Sequence, residues 1–248
     1  MKTNPAFPHL LSEVRLGDTV IKNRIVSTGH HTYIADRHPN DELIAYHRAR
    51  AKGGAGLIVS EIVAVHSSAA FSPMLLNALS DDVIPHYSRL VDCCHAESCA
   101  VLAQLFHPGR EIINNPEGFA PIAHAPSAVP NERFHIMPKP MSAQLIKEII
   151  SGFGMAASRM ERAGFDGVEI VASHGYLPAQ FLNPVTNLRD DQYGGDFARR
   201  LNFLLEVISQ VRECAPSLTL GLRLSADEMD PMGMDSVAMA QVCAALDP

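Results

Sequence analysis

The sequence lacks the features that mark several large classes of protein. No apolar run reaches the roughly 18–20 residues that a membrane span requires, and the N-terminus, MKTNPAFPHLL, has no apolar signal-peptide core. Lysine and arginine number 20 against 27 aspartates and glutamates, a net charge of −7. This balance argues against nucleic acid or an anionic membrane as a partner. We therefore expect a cytoplasmic protein that acts on a small-molecule substrate.

Cysteine and glycine motifs of common binding sites are also missing. The cysteines are Cys93, Cys94, Cys99, Cys214 and Cys243. They form no C-x-x-C pair, and an odd number is a poor disulfide framework, so we expect reduced thiols and no cysteine-held metal or iron–sulfur centre. No G-x-G-x-x-G follows the first predicted strand, which disfavours a dinucleotide-binding sheet.

The chain instead shows a regular alternation of apolar strands and amphipathic helices. Residues 13–23 predict a hairpin around Gly17-Asp18. The predicted strands are 24–27, 56–60, 101–106, 166–171 and 218–224, and the predicted helices run from Asn40 or Asp41 to Lys52, from Ser80 to about Glu97, from Ser142, from Asp196, and from Asp235 to Leu246. This alternation indicates an α/β fold with a parallel sheet.

The loops that follow strands are long, whereas those that follow helices are short. This asymmetry is typical of a TIM (β/α)8 barrel, whose site lies at the carboxyl ends of its strands. A closed barrel needs eight strands, and about five βα units follow the hairpin. We therefore predict that residues 1–248 form one barrel domain that is C-terminally incomplete, and its unpaired strand edges make a homo-oligomer possible.

Polar residues collect at the predicted strand ends, and two of them interrupt apolar runs. Gln104 and Arg223 would each cost free energy there without a partner. Glutamine offers a donor and an acceptor, and arginine offers a fixed fork of donors that suits an electron-rich heterocycle or an anion. The other strand-end groups are Thr28, Gly29, His30, His31, Glu61, Ile62, His107, His174 and Tyr176.

Each of these groups also has a purely structural interpretation. Gln104 could satisfy buried backbone, and Arg223 could pair with Asp227 or Glu169. His30 and His31 could be loop histidines, His107 could belong to a turn beside Pro108-Gly109, and Tyr176 could serve packing.

Residues 166–195, DGVEIVASHGYLPAQFLNPVTNLRDDQYGG, carry a family resemblance. The pattern resembles the signature of Old Yellow Enzyme-like NADH:flavin oxidoreductases, in the subgroup of dienoyl-CoA reductases and amine demethylases. Residues 16–26 resemble that family's hairpin and first strand, and 104–110, QLFHPGR, resemble its third strand. These linked motifs run in order from about residue 10 to 246.

The resemblance implies an FMN-binding TIM barrel fed by NAD(P)H. The implied flavin contacts are Thr28, Gly29, His30, His31, Ile62, Gln104 and Arg223. Tyr176 matches a tyrosine that protonates substrate, and His174 matches the second of two substrate-anchoring positions. The first anchoring position is Val171, so the clamp on a substrate carbonyl is halved; Val171 and His107 are expected in the substrate pocket.

We therefore expect hydride transfer between reduced flavin and an activated alkene such as an enoyl or dienoyl thioester. The alternatives are oxidative N-demethylation of a methylated amine or betaine on the same barrel, and a non-catalytic fragment. A 4Fe–4S centre and FAD are expected only in a longer parent. A metal-dependent barrel hydrolase is disfavoured because His30-His31 are adjacent rather than spaced H-x-H, and no metal site is predicted.

Overall fold

The computed structural model describes residues 6–112 and 122–246, and they form a partial α/β barrel. The strands are β1 Val14–Leu16, β2 Thr19–Ile21, β3 Val26–Ser27, β4 Leu57–Ala64, β5 Leu76–Asn77, β6 Ala100–Phe106, β7 His124–Ala125, β8 Lys139–Pro140, β9 Gly167–Ala172 and β10 Thr219–Leu224. The α-helices are α1 Asp41–Lys52, α2 Ile84–His95, α3 Ala143–Ala163, α4 Leu177–Leu182, α5 Phe197–Cys214 and α6 Ser236–Leu246.

The central sheet has the strand order β10-β9-β6-β4-β3, and every pair in it is parallel. The short β5 also pairs with β4 in parallel. The sequence predicted these five βα units and their parallel order. All residues of β4 and β6 are buried, whereas those of β10, at one edge of this sheet, are only half-buried.

The predicted hairpin forms from β1 and β2 and packs across the amino ends of the central strands. Ile21 joins an apolar cluster with Leu57, Val59, Ala100 and Leu102. The hydroxyls of Thr19 and Thr219 lie 2.8 Å apart, which ties the hairpin to the start of β10. The hairpin therefore covers the end of the sheet opposite the expected site.

Side-chain caps begin the helices at the positions that the sequence predicted. Asn40, Ser142 and Asp196 each accept a hydrogen bond from the backbone N–H three residues later. Helix α2 begins at Ile84, after a 3-10 turn at Asp81–Val83, so the acidic residues placed at its start lie in that turn instead. The five cysteines are all free thiols.

The period-2 alternation of the strands separates two faces of the sheet. Outward residues such as Ile58, Val101, Val168 and Ile170 join the large core under the helices. Inward residues stack in layers. A register shift between Val59 and Ile62 marks a bulge in β4, which the sequence analysis did not foresee.

Two further elements were missed. Helix α4 follows directly after β9, within a segment interpreted as loop, and β7 pairs with β8 inside the predicted loop 107–141. Both are short enough to escape a periodicity analysis. Residues 113–121 of that loop lie outside the described residues.

Candidate functional site

A polar layer crosses the inner face of the sheet at mid-height. Gln104 of β6 is in register with Glu169 of β9, and its Nε2 donates to Glu169 Oε1 at 2.6 Å. Arg223 of β10 donates to the same carboxylate through Nε at 2.8 Å and Nη2 at 3.2 Å. Of the two interpretations of Arg223, the structure therefore shows the pairing with Glu169, and Gln104 is bonded to this side chain rather than to backbone.

The loop after β3 comes close to this layer through Gly29. A Cβ at Gly29 would lie 2.5 Å from the backbone oxygen of Ser60 and 3.0 Å from both polar atoms of the Gln104 amide. No side chain larger than hydrogen fits without a shift of backbone. The structure thus places Gly29 against Gln104, and Gln104 and Arg223 on the same carboxylate.

An apolar layer lies toward the carboxyl ends of the strands. It is formed by Ile62, Ala64, Ala69, Leu75, Phe106 and Val171, with Ala70, Phe71 and Tyr176 packed against it. Val171 is 2% exposed and faces inward two residues beyond Glu169. This layer is therefore hydrophobic at Val171, the first of the two anchoring positions that the resemblance implies.

The turn after β9 places His174 and Tyr176. His174 has φ +58° and Gly175 has φ +70°, so two successive residues adopt the left-handed conformation. This conformation is uncommon for a histidine and common at functional turns. The Tyr176 ring packs edge-on against Phe106 at 4.6 Å, and its centroid lies 5.8 Å from that of His174.

Tyr176 is held protonated by its surroundings. Burial raises the pKa of its phenol, and the nearby Glu111 carboxylate and the Tyr33 phenol raise it further. Burial likewise raises the pKa of Glu111. A neutral phenol can donate a proton to a substrate atom within hydrogen-bond reach.

His174 is exposed and borders a cleft of about 340 Å³. Its Nδ1 lies 2.7 Å from Ser173 Oγ. The cleft is lined by Arg110, His174, Gly175, Ala179, Gln180, Asn183, Thr186, Ser225, Asp227, Glu228 and Asp230. Burial raises the pKa of Glu228, which accepts from Asn183 Nδ2 at 2.6 Å. This rim carries more carboxylates than cations.

His107, which was expected in the substrate pocket, faces the interior of the fold instead. It is fully buried, its Nε2 lies 2.9 Å from Ser68 Oγ, and its Nδ1 accepts from Gly109 N at 3.0 Å. The pKa of His107 is lowered to about 3, mainly by burial and to a smaller extent by His66 and His124. Both ring nitrogens are engaged within the fold, which agrees with the turn interpretation and leaves the ring nothing to offer a substrate.

The histidines after β3 diverge. The Nε2 of His30 is bonded to the hydroxyl of Tyr46 on α1, so its ring turns toward that helix. His31 stacks on Tyr33 with ring centroids 3.9 Å apart, and its Nε2 lies 3.3 Å from Met74 O. Thr28 is exposed on the same loop. His31, not His30, is therefore turned toward the loop after β4.

The side chains of the segment after β9 make hydrogen bonds that fix the neighbouring loops. Gln180 donates to Pro108 O at 2.9 Å and Gly175 O at 2.6 Å, and it accepts from Arg110 N. Asn187 donates to Phe181 O and Tyr193 O, both at 2.7 Å. These side chains hold the loop after β6 against the turn that carries Tyr176.

Glu61 is a second buried carboxylate, for which the sequence predicted no role. Glu61, displaced by the bulge in β4, accepts from Thr32 N and Thr32 Oγ1, both at 2.7 Å. It anchors the loop that begins at Thr28. A charged residue inside the apolar run LIVSEIVA was the available signal, the same one that identified Gln104. Within residues 6–112 and 122–246, no group of three or more metal-binding side chains is gathered.

The fold and this arrangement agree with a family assignment. The family model for the NADH:flavin oxidoreductase / NADH oxidase family matches residues 9–247. The chain therefore belongs to this family of oxidoreductases, which confirms the family that the sequence motifs predicted. None of the helices in the described ranges is long and apolar enough to cross a membrane.

The individual relatives of this chain are oxidoreductases of different kinds. The chain is 38% identical over 242 residues to a metal reductase of Desulforamulus reducens, covering 96% of this chain and 36% of that protein. It is 33% identical to an N,N-dimethylglycine/sarcosine dehydrogenase of Chromohalobacter salexigens, covering 98% and 35%. A solved complex of 2-naphthoyl-CoA reductase superposes with a TM-score of 0.88 at 26% identity, covering 96% and 38%. The chain thus spans about a third of the length of these proteins.

Proposed function

We propose that this chain forms part of an FMN-dependent oxidoreductase that uses NAD(P)H to reduce an activated alkene such as an enoyl or dienoyl thioester. The observation that carries the proposal is the Gln104–Glu169–Arg223 layer, which lies beneath an apolar cluster with Tyr176 packed against it. Family membership supports the class of reaction, and the similarity to 2-naphthoyl-CoA reductase supports a thioester substrate.

The residues of the layer suit the pyrimidine edge of a flavin. Glu169 accepts only, so the Gln104 amide must turn its NH2 toward Glu169 and its carbonyl oxygen the other way. That oxygen is an acceptor for an imide N–H, and the Arg223 guanidinium is a donor for the flanking carbonyl and ring nitrogen. Gly29 allows close approach on one side. We propose Thr28, His30, His31 and Ile62 as further groups lining the ring.

When bound, FMN would supply the hydride. Around it, Tyr176 holds a proton on its phenol oxygen and would deliver it to the alkene carbon opposite the hydride. His174 would hydrogen-bond the substrate carbonyl, with Val171 leaving an apolar wall where a second donor is absent. The apolar layer excludes water, which strengthens the hydrogen bonds at the polar layer beneath it.

Titration with FMN and with riboflavin tests the cofactor proposal. We expect the chain to quench flavin fluorescence with similar affinity for both ligands if the described groups contact the ring, and we expect Gln104→Leu to weaken both equally. Reduced flavin should then be reoxidised under anaerobic conditions by an enoyl thioester. A chain that binds neither flavin contradicts the proposal.

A specific observation favours oxidative demethylation as the second candidate. Asp227, Glu228 and Asp230 line the cleft beside His174, and the Arg110 guanidinium there already donates to the carbonyl of Pro130. Such a rim attracts a cationic amine and repels the phosphates of a coenzyme A thioester. The similarity to an N,N-dimethylglycine/sarcosine dehydrogenase agrees with this alternative.

The two candidates differ in the direction of electron flow. A demethylase would have its bound flavin bleached by dimethylglycine under anaerobic conditions without NAD(P)H. A reductase would need NAD(P)H for bleaching, and the enoyl thioester would restore the colour. Paired measurements on Asp227→Asn and on Asp41→Asn, an exposed residue of α1, would show whether the charge of the cleft selects the amine.

A further inference from the structure

Glu169 is a carboxylate whose partners are the two groups proposed to face the flavin edge. It points inward from β9, and its side chain is 13% exposed. Gln104 lies beside it in register on β6, and Arg223 reaches it from β10. In the described part of the chain, its carboxylate makes hydrogen bonds to no other side chain.

Such a placement costs free energy unless the charge is compensated. A largely buried carboxylate is tolerated when a cation and hydrogen-bond donors satisfy it. Here Arg223 supplies a paired contact with both oxygens, at 2.8 and 3.2 Å, and Gln104 supplies a third bond at 2.6 Å. Glu169 therefore fixes both side chains from behind, on the side away from the proposed ring.

Glu169 also affects the two side chains that stabilise it. The carboxylate holds the Gln104 amide with its acceptor outward, and it offsets part of the positive charge that Arg223 presents to a ligand. A cation beside the N1–C2 edge of a flavin stabilises the negative charge that this edge acquires on reduction. A neighbouring carboxylate must weaken that stabilisation.

We propose that Glu169 is a positioning residue that sets the reduction potential of the bound flavin, by orienting the Gln104 amide and by offsetting the charge of Arg223. The inference rests on the proposed function, because it needs a flavin at this layer. It concerns this chain's own residues and can be measured without any alkene or amine substrate.

The test uses riboflavin or FMN bound to the chain and two readouts other than turnover. Sulfite adds to oxidised flavin and leaves negative charge on the N1–C2 edge, so its dissociation constant reports the local charge. In Glu169→Gln, we expect sulfite to bind about tenfold more tightly. The same tenfold change corresponds to a two-electron midpoint potential about 30 mV higher.

Three matched variants separate charge from packing. Glu169→Asp keeps the charge and should stay near the wild-type potential. Glu213→Gln makes the same chemical change at an exposed position on α5 and should change nothing. If Glu169→Gln does not fold, the same substitution is made in Arg223→Gln, where a neutral pair is well tolerated. There too it should tighten sulfite binding about tenfold relative to Arg223→Gln alone.

Each outcome decides the question. Tighter sulfite binding and a higher potential in Glu169→Gln alone support the proposal. Equal changes in Glu169→Gln and Glu169→Asp, or no change in either, overturn it while the flavin-binding function stands. A wild-type chain that takes up no flavin overturns the proposed function itself, and this inference with it.

Discussion

At the scale of single residues, Tyr176 is the group on which the proposed reduction most depends. Tyr176→Phe removes the phenol oxygen and keeps the ring against Phe106. We expect the rate of alkene reduction to fall about 100-fold or more, as for loss of a general acid. Flavin affinity and flavin reduction by NAD(P)H should be unchanged, and stopped-flow half-reactions measure the two steps separately.

The matched control for that substitution is Tyr33→Phe. Tyr33 is 49% exposed, and this substitution removes its hydroxyl while keeping its ring. It should leave alkene reduction close to the wild-type rate. Equal losses in Tyr33→Phe and Tyr176→Phe would show that Tyr176 is not the proton donor.

A second prediction for a single residue concerns the substitution of Gly29. Gly29→Ala places a methyl group 2.5 Å from Ser60 O and 3.0 Å from the Gln104 amide. We expect riboflavin affinity to fall about tenfold or more and stability to fall by about 1–3 kcal/mol, the usual cost of overpacking. Fluorescence titration and urea unfolding measure the two effects. Gly221→Ala, whose methyl would meet no heavy atom closer than 3.7 Å, is the control.

At single positions, the sequence predicted which groups are chemically unusual but not how their side chains are oriented. Gln104 and Arg223 were recognisable because a polar residue in an apolar run needs a partner. Glu169 was one of two candidate partners for Arg223 and was not considered for Gln104, since both pairings depend on the register between β6, β9 and β10. His107 looked like a pocket residue, but whether its nitrogens face a ligand or a turn is decided by Ser68 and Gly109, and spacing does not encode that.

At the scale of secondary-structure elements, caps and periodicity located the long helices well. The start of α3 shows why: Ser142 Oγ accepts from Leu145 N at 3.2 Å, and the apolar face of the helix follows a regular 3.6-residue spacing. The bulge in β4 and the six-residue α4 were missed because neither changes the apolar pattern over a long enough window.

The cap of α3 gives a prediction at that scale. Ser142→Ala leaves a backbone N–H of the first turn without its acceptor, and we expect the free energy of unfolding to fall by about 1 kcal/mol. Ser142→Asp restores an acceptor and should recover most of this loss. Chemical denaturation measures both, and Ser151→Ala, an exposed serine within the same helix, should not destabilise. A loss in Ser151→Ala equal to that in Ser142→Ala would contradict the capping role.

At the scale of the whole molecule, the helix layer and the loop layer each enclose a buried neutral histidine. His107 sits among the loops above the sheet, with its pKa lowered to about 3, mainly by burial. His47 lies on the inner side of α1, with its pKa lowered to about 4, again mainly by burial and then by Arg50 and His30. In the folded state, both histidine rings are therefore uncharged at neutral pH.

This arrangement predicts a loss of stability in mild acid. Above pH 6.5, the ordinary histidine value, neither state binds these protons, and the folded state keeps its full stability. As pH falls from about 6.5 toward 4, the unfolded chain takes up protons that the folded chain refuses. Each histidine then lowers the free energy of unfolding by up to about 1.4 kcal/mol per pH unit.

Urea unfolding between pH 7.5 and 4.5 measures this slope. His47→Gln and His107→Gln should each lower stability at pH 7.5 and flatten the slope, because each removes one such proton uptake. The pKa values of Asp191 and Asp196 are lowered by hydrogen bonds from Arg189 and from the Arg199 backbone N–H respectively, so these two carboxylates affect stability only in stronger acid. A slope unchanged in both variants would mean that the acid sensitivity of the fold arises elsewhere in the molecule.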